Sequence, residues 1–441
     1  MAKQRQFYYV RQANGSEWFE ANQKLTFDTH NFLALDRFKE DLVLIAIQVK
    51  LLPRISEVLE QLGLDNSLDY FQSECREVIS VPEKHINEKT GKGNLSFQVY
   101  FKNVPESMAS INEGACVVVA LHPLDEVSAA GGKSYRLAGY VHANRFHFRD
   151  HTDNSIQEGY YYNLLRISSY TSKEGRNIYR QCGMFSSIFA ILSKMCDLNG
   201  ISCTYANFGR ENRGMQRSIK ILTDRLNKGY DRYPVDSYTH INWLFRRRSQ
   251  AKYLVNISQD EASLKIFYNE SMAIREKYLF NQYPRFEDFK KMLDQVLAYS
   301  KSSGVYSYVN KDGITLASCL AMNWGDYFDM TLDNPKGLFK LIARLKLTDK
   351  ILFPVHNVGE LNYVKKLWQG LAYKFEKEEK VHITLLNTME GDPYKSLKKS
   401  PLHDPFVYFS INNTQEEYDR FKKASTTEDG TCPVFMETPL L

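Results

Sequence analysis

The sequence predicts an α+β protein, a mixed sheet flanked by helices, with two similarly built domains in one chain. Three observations lead there. Strand-length apolar runs separated by turn residues crowd the stretch between residues 95 and 170. A helix–strand–helix pattern comes after them, and the same order returns more loosely after residue 285. At 441 residues the chain has length for two to three domains, and 28 Tyr and 26 Phe supply material for large cores.

Taken in order, "PRISEVLEQLGL" reads as a helix, with Ile55, Val58, Leu59 and Leu62 on one face and Gly63 as its stop. "LSFQVYFKN" alternates apolar and polar residues, "ACVVVALHP" is a continuous buried-type run, and "SAAGGKS" reads as a hairpin loop leading into "YRLAGYVHANRFHF". "YYYNLLRISSY" is a fourth strand. Then "GMFSSIFAILSKMCDLNG" has helical spacing, "ISCTYANF" is a strand, and "ENRGMQRSIKILTDRLNKGY" is again helical. In the second half "RFEDFKKMLDQVLAYS" is an amphipathic helix, and "GVYSYVN" and "GITLASCLAMNW" are strands joined by a turn at Asn310–Gly313. "KGLFKLIARLKL" and "GELNYVKKLWQGLAY" are helices, and "KILFPVHN", "KVHITLLNTM" and "PFVYFSINN" are strands. This order divides the chain into residues 1–250, 251–415 and a tail at 416–441. The duplication rests on element order alone.

Composition narrows the function classes. Lys and Arg exceed Asp and Glu by 57 to 52, a formal charge of +5. That suits anionic ligands but is too weak for wholesale nucleic-acid binding. The seven cysteines are scattered and odd in number, which argues against a disulfide framework and a zinc knuckle. A reducing cytoplasm is the simplest reading. The N-terminal segment carries charge without a following apolar block, unlike a secretory signal. The longest apolar run, "DLVLIAIQVKLL", is broken by Gln48 and Lys50 and is too short to span a bilayer. The sequence therefore reads as soluble, with no membrane partner.

One short stretch carries chemistry. "YRQCGMFSS" places Arg180 for charge, Gly183 for close backbone approach, and Ser186 and Ser187 in the first turn of a helix. Backbone N–H groups converging at a helix N-terminus are a natural site for a diphosphate.

From this stretch through the next helix, the chain resembles the GCN5-related N-acetyltransferase (GNAT) superfamily. That family carries an Arg/Gln-x-x-Gly-x-Gly/Ala loop between its fourth strand and third helix, matched here by Tyr179, Arg180, Gln181, Cys182, Gly183, Met184 and Phe185. It also places an Asn after its fifth strand, matched by Asn212, and its next helix commonly ends in Gly-aromatic, as at Gly229–Tyr230. The resemblance covers about Leu95 to Tyr230 and reaches the second half only as topology. It implies that Arg180, Gln181, Cys182, Gly183, Met184, Phe185, Ser186 and Asn212 bind acetyl-CoA or another acyl-CoA as donor substrate. The acceptor would be an amine on a small molecule or a peptide.

Two residues depart from the family. Phe185 stands where Gly or Ala is usual, and Ile219 stands near the place of a Tyr that many members use as general acid.

Catalytic residues stay unassigned. Glu158, Asp150 and Asp153 lie near the fourth strand, and His142 and His147 lie on the third. His147 and His151 are four apart, which on a strand separates them by about 13 Å, so one metal ion cannot use both. No metal is expected. The run Arg246–Arg248 reads as a solvated strand edge or as a grip for an anion. In the second half no Arg/Gln-x-x-Gly loop is apparent before a helix, so that half is expected to bind no acyl-CoA and either to shape the acceptor cleft or to pack as a pseudo-dimer partner in a monomeric chain. Two functions from different classes are compatible with these residues: an acyl-CoA-dependent N-acyltransferase, and a catalytically silent tandem scaffold.

Overall fold

Strands are the commonest elements among the described residues. The computed structural model describes residues 3–13, 17–27, 43–48, 83–86, 93–101, 116–127, 133–149, 155–167, 179, 188–189, 192, 196, 200–201, 203–209, 217–220, 230–275, 281–326, 328–333, 344, 350–388, 394, 396 and 402–412. The strands of the first part are β1 (Lys3–Ala13), β2 (Glu17–Phe27), β3 (Val43–Gln48), β4 (Glu83–Ile86), β5 (Gly93–Phe101), β6 (Cys116–Val127), β7 (Lys133–Arg149), β8 (Ile156–Ile167), β9 (Cys203–Gly209) and β10 (Tyr230–Ile241). Two short helices come next, α1 (Asn242–Phe245) and α2 (Arg248–Ala251). Then come β11 (Leu254–Asn256), α3 (Glu261–Arg275), β12 (Asn281–Gln282), α4 (Phe286–Tyr299), β13 (Gly304–Val309), β14 (Thr315–Asn323) and β15 (Phe328–Asp333). The last elements are β16 (Ile351–Gly359), α5 (Leu361–Glu378), β17 (Ile383–Thr388) and β18 (Leu402–Asn412).

Among the described residues one mixed sheet runs β11-β13-β14-β16-β17-β10-β18-β9-β8-β7-β6-β3-β1-β2, and β15, β5 and β4 form a small second sheet. The fold is α+β. At the centre of the long sheet β10 and β18 pair antiparallel. Outward from β18 the neighbours are β9 antiparallel, β8 parallel to β9, then β7 and β6 antiparallel. Outward from β10 they are β17 antiparallel, β16 parallel to β17, then β14 and β13 antiparallel. The two flanks read alike about the central pair. Each flank also borrows a strand: β10 precedes the second flank in sequence yet pairs with it, and β18, last of the described strands, completes the first.

Helices cover both faces of the second flank. Along β13 and β14 alternate residues point to opposite sides. Tyr306, Tyr308, Ala317, Cys319 and Ala321 pack under α5 with Val364, Leu367, Trp368 and Leu371. Val305, Leu320, Met322 and Phe353 meet Phe267 and Met272 of α3 and Phe289, Leu293 and Val296 of α4 on the other side. Burial of the Cys319 thiol in this core pushes its pKa well above the usual value.

The helix expected over "PRISEVLEQLGL" and the tail at 416–441 lie outside the described residues, as does the helix expected over "KGLFKLIARLKL" except for Arg344, which is helical. Among the described residues no helix is long and apolar enough to cross a membrane.

Candidate functional site

A parallel pair that opens partway along its length sits in each flank. In the first, β8 and β9 are laddered from Gly159↔Cys203 to Tyr162↔Ala206, after which β8 continues along β7 to Ile167 and β9 along β18 to Gly209. Just past the parting, residues 164 and 165 of β8 together oppose Val141 of β7, a two-against-one bulge between the pairs His142↔Asn163 and Tyr140↔Arg166. Backbone groups of β8 beyond Tyr162 therefore have no ladder partner on β9, although β8 is an inner strand.

The second flank repeats this geometry. β16 and β17 are laddered only at Ile351↔Ile383 and Leu352↔Thr384. Pro354, two residues on, has no N–H with which to extend that ladder. Then His356 and Asn357 together oppose Cys319 of β14, between Leu320↔Val355 and Ser318↔Val358. His356 takes the left-handed conformation this bulge needs, φ 52°.

Here the bulge is filled by protein. Asn357 Oδ1 accepts from Trp368 Nε1 of α5 at 2.7 Å. His356 is buried on the opposite face, its Nδ1 3.5 Å from Ser271 Oγ of α3.

The connections after the two bulges differ. In the second flank Gly359 (φ 113°) and Glu360 lead directly into α5. A Cβ on Gly359 would lie 2.5 Å from the Leu316 carbonyl oxygen. Tyr394 Oη donates to the Gly359 carbonyl at 3.0 Å, and the Glu360 carboxylate stands at the helix N-terminus. Negative charge there disfavours a second anion.

In the first flank residues 168–187 separate β8 from the helical, buried Ile188, Leu192 and Cys196. A constant offset aligns those three with Val364, Trp368 and Ala372 of α5, and Gly183 with Gly359. The parallel β16–β17 pairing makes β16 the counterpart of β8. The junction to compare with Arg180–Gly183 is therefore His356–Gly359.

The structure describes Tyr179 but not the residues after it in the predicted cradle. Arg180, Gln181, Cys182, Gly183, Met184, Phe185, Ser186 and Asn212 lie outside the described residues, as do Asp150, His151 and Asp153. Tyr179 is buried, and its hydroxyl lies 2.7 Å from Nδ1 of His122 on β6, the rings meeting edge to face. The residue just before Arg180 is thus tied to the sheet two strands away from β8. Sequence reading missed His122; its one trace is a polar residue closing the apolar run "ACVVVALHP". Ile219 is helical and 3% exposed, packed in the core rather than facing a cleft.

Of the candidate bases, His147 and Glu158 come together across β7 and β8. His147 Nε2 is 3.4 Å from Glu158 Oε1, and its Nδ1 is 3.9 Å from Asp288 of α4. This cluster ties α4 to the first flank. It sits four residues before the parting at Tyr162, about 13 Å along the strand, too far to serve a reaction there. Among the described residues no group of three or more His, Cys, Asp or Glu could hold a metal ion.

The arginine run does not edge a strand as expected. It links α1 to α2, with Arg246 ion-paired to Glu376 of α5.

No protein-family model and no curated protein matches the sequence. Among solved structures, a conserved protein of unknown function from Enterococcus faecalis V583 is similar at 12% identity and a TM-score of 0.39, over 72% of this chain and 66% of that one, just under two thirds. Saccharomyces cerevisiae N-myristoyltransferase with bound myristoyl-CoA is similar at 10% identity and a TM-score of 0.45, over 79% of this chain and 81% of that one. A GCN5-related N-acetyltransferase from Kribbella flavida gives 9% identity and a TM-score of 0.42, over 86% and 73%.

Proposed function

We propose that this chain is an acyl-CoA-dependent N-acyltransferase, moving an acetyl group from acetyl-CoA to an amine on a small molecule or peptide. The observation that carries the reading is the bulged β8 leaving β9 beyond Tyr162. Unladdered N–H groups on an inner strand are costly unless something accepts from them, and a thioester carbonyl is such an acceptor. The amine nitrogen would attack the carbonyl carbon, the oxyanion would be held by those N–H groups, and the carbon–sulfur bond would break. The thiolate would leave with the proton the ammonium gives up. The loop from Arg180 to Ser187, with Gly183 at its closest approach and Asn212 nearby, would hold the diphosphate. His122 would steady that loop through Tyr179.

In this reading residues 1–250 form the donor half. Residues 251–415 form a degenerate copy, whose short entry to α5, with Glu360 at the helix N-terminus, leaves no cradle, and residues 416–441 are a tail. The like order of the two flanks supports the duplication, and the chain acts as a cytoplasmic monomer whose halves stand in for a homodimer.

A silent tandem scaffold is the second reading. Phe185 and the buried Ile219 favour it. Calorimetric titration of the full chain with acetyl-CoA separates the two. Saturable binding that is lost in Gly183→Trp, with release of free thiol in the presence of amines, is the expected result. Binding without thiol release across an amine panel leaves the scaffold, and no heat at millimolar acetyl-CoA removes the donor site altogether.

A further inference from the structure

The stretch from Ile241 to Gln259 contains three arginines, one lysine and no acidic residue, and of these Arg246 is ion-paired to Glu376 outside it. The same stretch shows three large apolar side chains to solvent. Trp243 is 54% exposed and Leu244 59%, both on α1, and Val255 is 44% exposed on β11.

The residues around them are held firmly. Asn242 is fully buried: its N–H donates to the His382 carbonyl at 2.8 Å, its Nδ2 to the Val381 carbonyl at 2.8 Å, and its Oδ1 accepts from Thr384 Oγ1 at 2.6 Å. Phe245 packs against the core under α5 and meets the His240 ring at a tilt, with ring centroids 5.1 Å apart. Arg246 pairs with Glu376 and lies over the ring of Tyr373, and Arg247 N–H donates to the Gln369 carbonyl at 3.0 Å. Projecting from this anchored knuckle are Trp243, Leu244, and the exposed side chains of Arg247, Arg248 and Lys252.

We propose that the α1–α2 knuckle docks the protein on an anionic lipid surface. A tryptophan settles at the headgroup level, where its ring is solvated by both phases. Leu244 has no hydrogen-bonding capacity and adds nothing to a phosphodiester contact. It gains free energy only where hydrocarbon lies beside negative charge, which is what a leaflet of anionic lipid offers. Arg247, Arg248 and Lys252 lie next to the wedge in sequence, and guanidinium groups bind phosphate oxygens bidentately. Because the turn is already fixed, inserting its two side chains costs little ordering entropy. A fluid partner also needs no groove shaped to a convex wedge. This is peripheral contact and requires no membrane-crossing helix. It does not depend on the acyltransferase reading.

The test is co-sedimentation of the full chain with phosphatidylcholine vesicles containing phosphatidylglycerol, and with phosphatidylcholine alone. Partition into the anionic vesicles and weak partition into the neutral ones is expected. Removing each arginine should lower the partition coefficient about five-fold, so Arg247→Ala/Arg248→Ala lowers it about 25-fold. Trp243→Ala/Leu244→Ala should release the protein as salt is raised, and both variants should keep the wild-type melting temperature because the side chains are exposed. Quenching of the unaltered protein's tryptophan fluorescence by bromolipids checks insertion without any variant. No partition into anionic vesicles overturns the proposal, as does partition indifferent to Trp243 and Leu244, or absence of quenching. Arginine-dependent retention on duplex DNA that equals retention on vesicles would also overturn it, in favour of a nucleic-acid contact.

Discussion

His240 shows how one side chain sets a response to acid. It is buried on β10, its Nε2 has no hydrogen-bond partner among the described residues, and Phe245 lies against its ring. Burial lowers its pKa, so the fold holds it neutral. The unfolded chain takes up that proton below about pH 6.5, and the native state does so only at lower pH. The resulting stability is complete above about pH 6.5 and is lost as pH falls towards the depressed native value, at no more than about 1.4 kcal/mol per pH unit. Urea unfolding at successive pH values should show a shallower acid-side decline in His240→Gln than in the parent. Parallel curves would mean that His240 titrates alike in both states.

Among the elements, the junction of β16 and α5 makes the sharpest prediction. Gly359 at φ 113° has backbone of Leu316 and Ala317 where a side chain would begin. Gly359→Ala should cost about 2 kcal/mol, from strain and displacement together. Gly313, at φ 79° in the β13–β14 turn, has nothing within 4 Å of a Cβ. Its alanine variant should lose only about 1 kcal/mol, the conformational part alone. Urea midpoints of the two variants measure the difference directly.

The same scale explains what the sequence could and could not reveal. α4 and α5 were legible because their apolar residues repeat at helical spacing over three or more turns. α3 was not, although its buried residues also keep that spacing. Ser271 and Arg275 sit on its inner face and Ile266 is 60% exposed, which blurs the pattern. β10 was hidden by Pro234, tolerated because the β17 ladder begins only at Asp236. The Arg180–Gly183 motif could be named from its residue types. The bulges and partings could not, since they are properties of strand pairing rather than of any one segment.

At the scale of the molecule, the borrowed strands make the two flanks interdependent. β9 pairs with β18 over seven residue pairs, from Phe406↔Gly209 to Asn412↔Cys203, and β10 pairs with β18 over ten. A chain ending at Pro401 would leave β9 and the front of β10 as facing open edges, which invite association with other chains. Its expected fate is the insoluble fraction. If it instead ran as a monomer on size exclusion with an unchanged melting temperature, the central pair would not be holding the flanks together.

The position of β18 also bears on how the protein is made. Gly209 and Leu402 are separated by nearly two hundred residues, so β9 leaves the ribosome long before its inner neighbour β18 exists. At ordinary translation speeds the wait is roughly 10–40 s. Pairing at such sequence separation is also slow to form once both strands are present. The nascent first half must therefore endure in an unfinished state, and the demand for chaperone protection should be greatest in that interval.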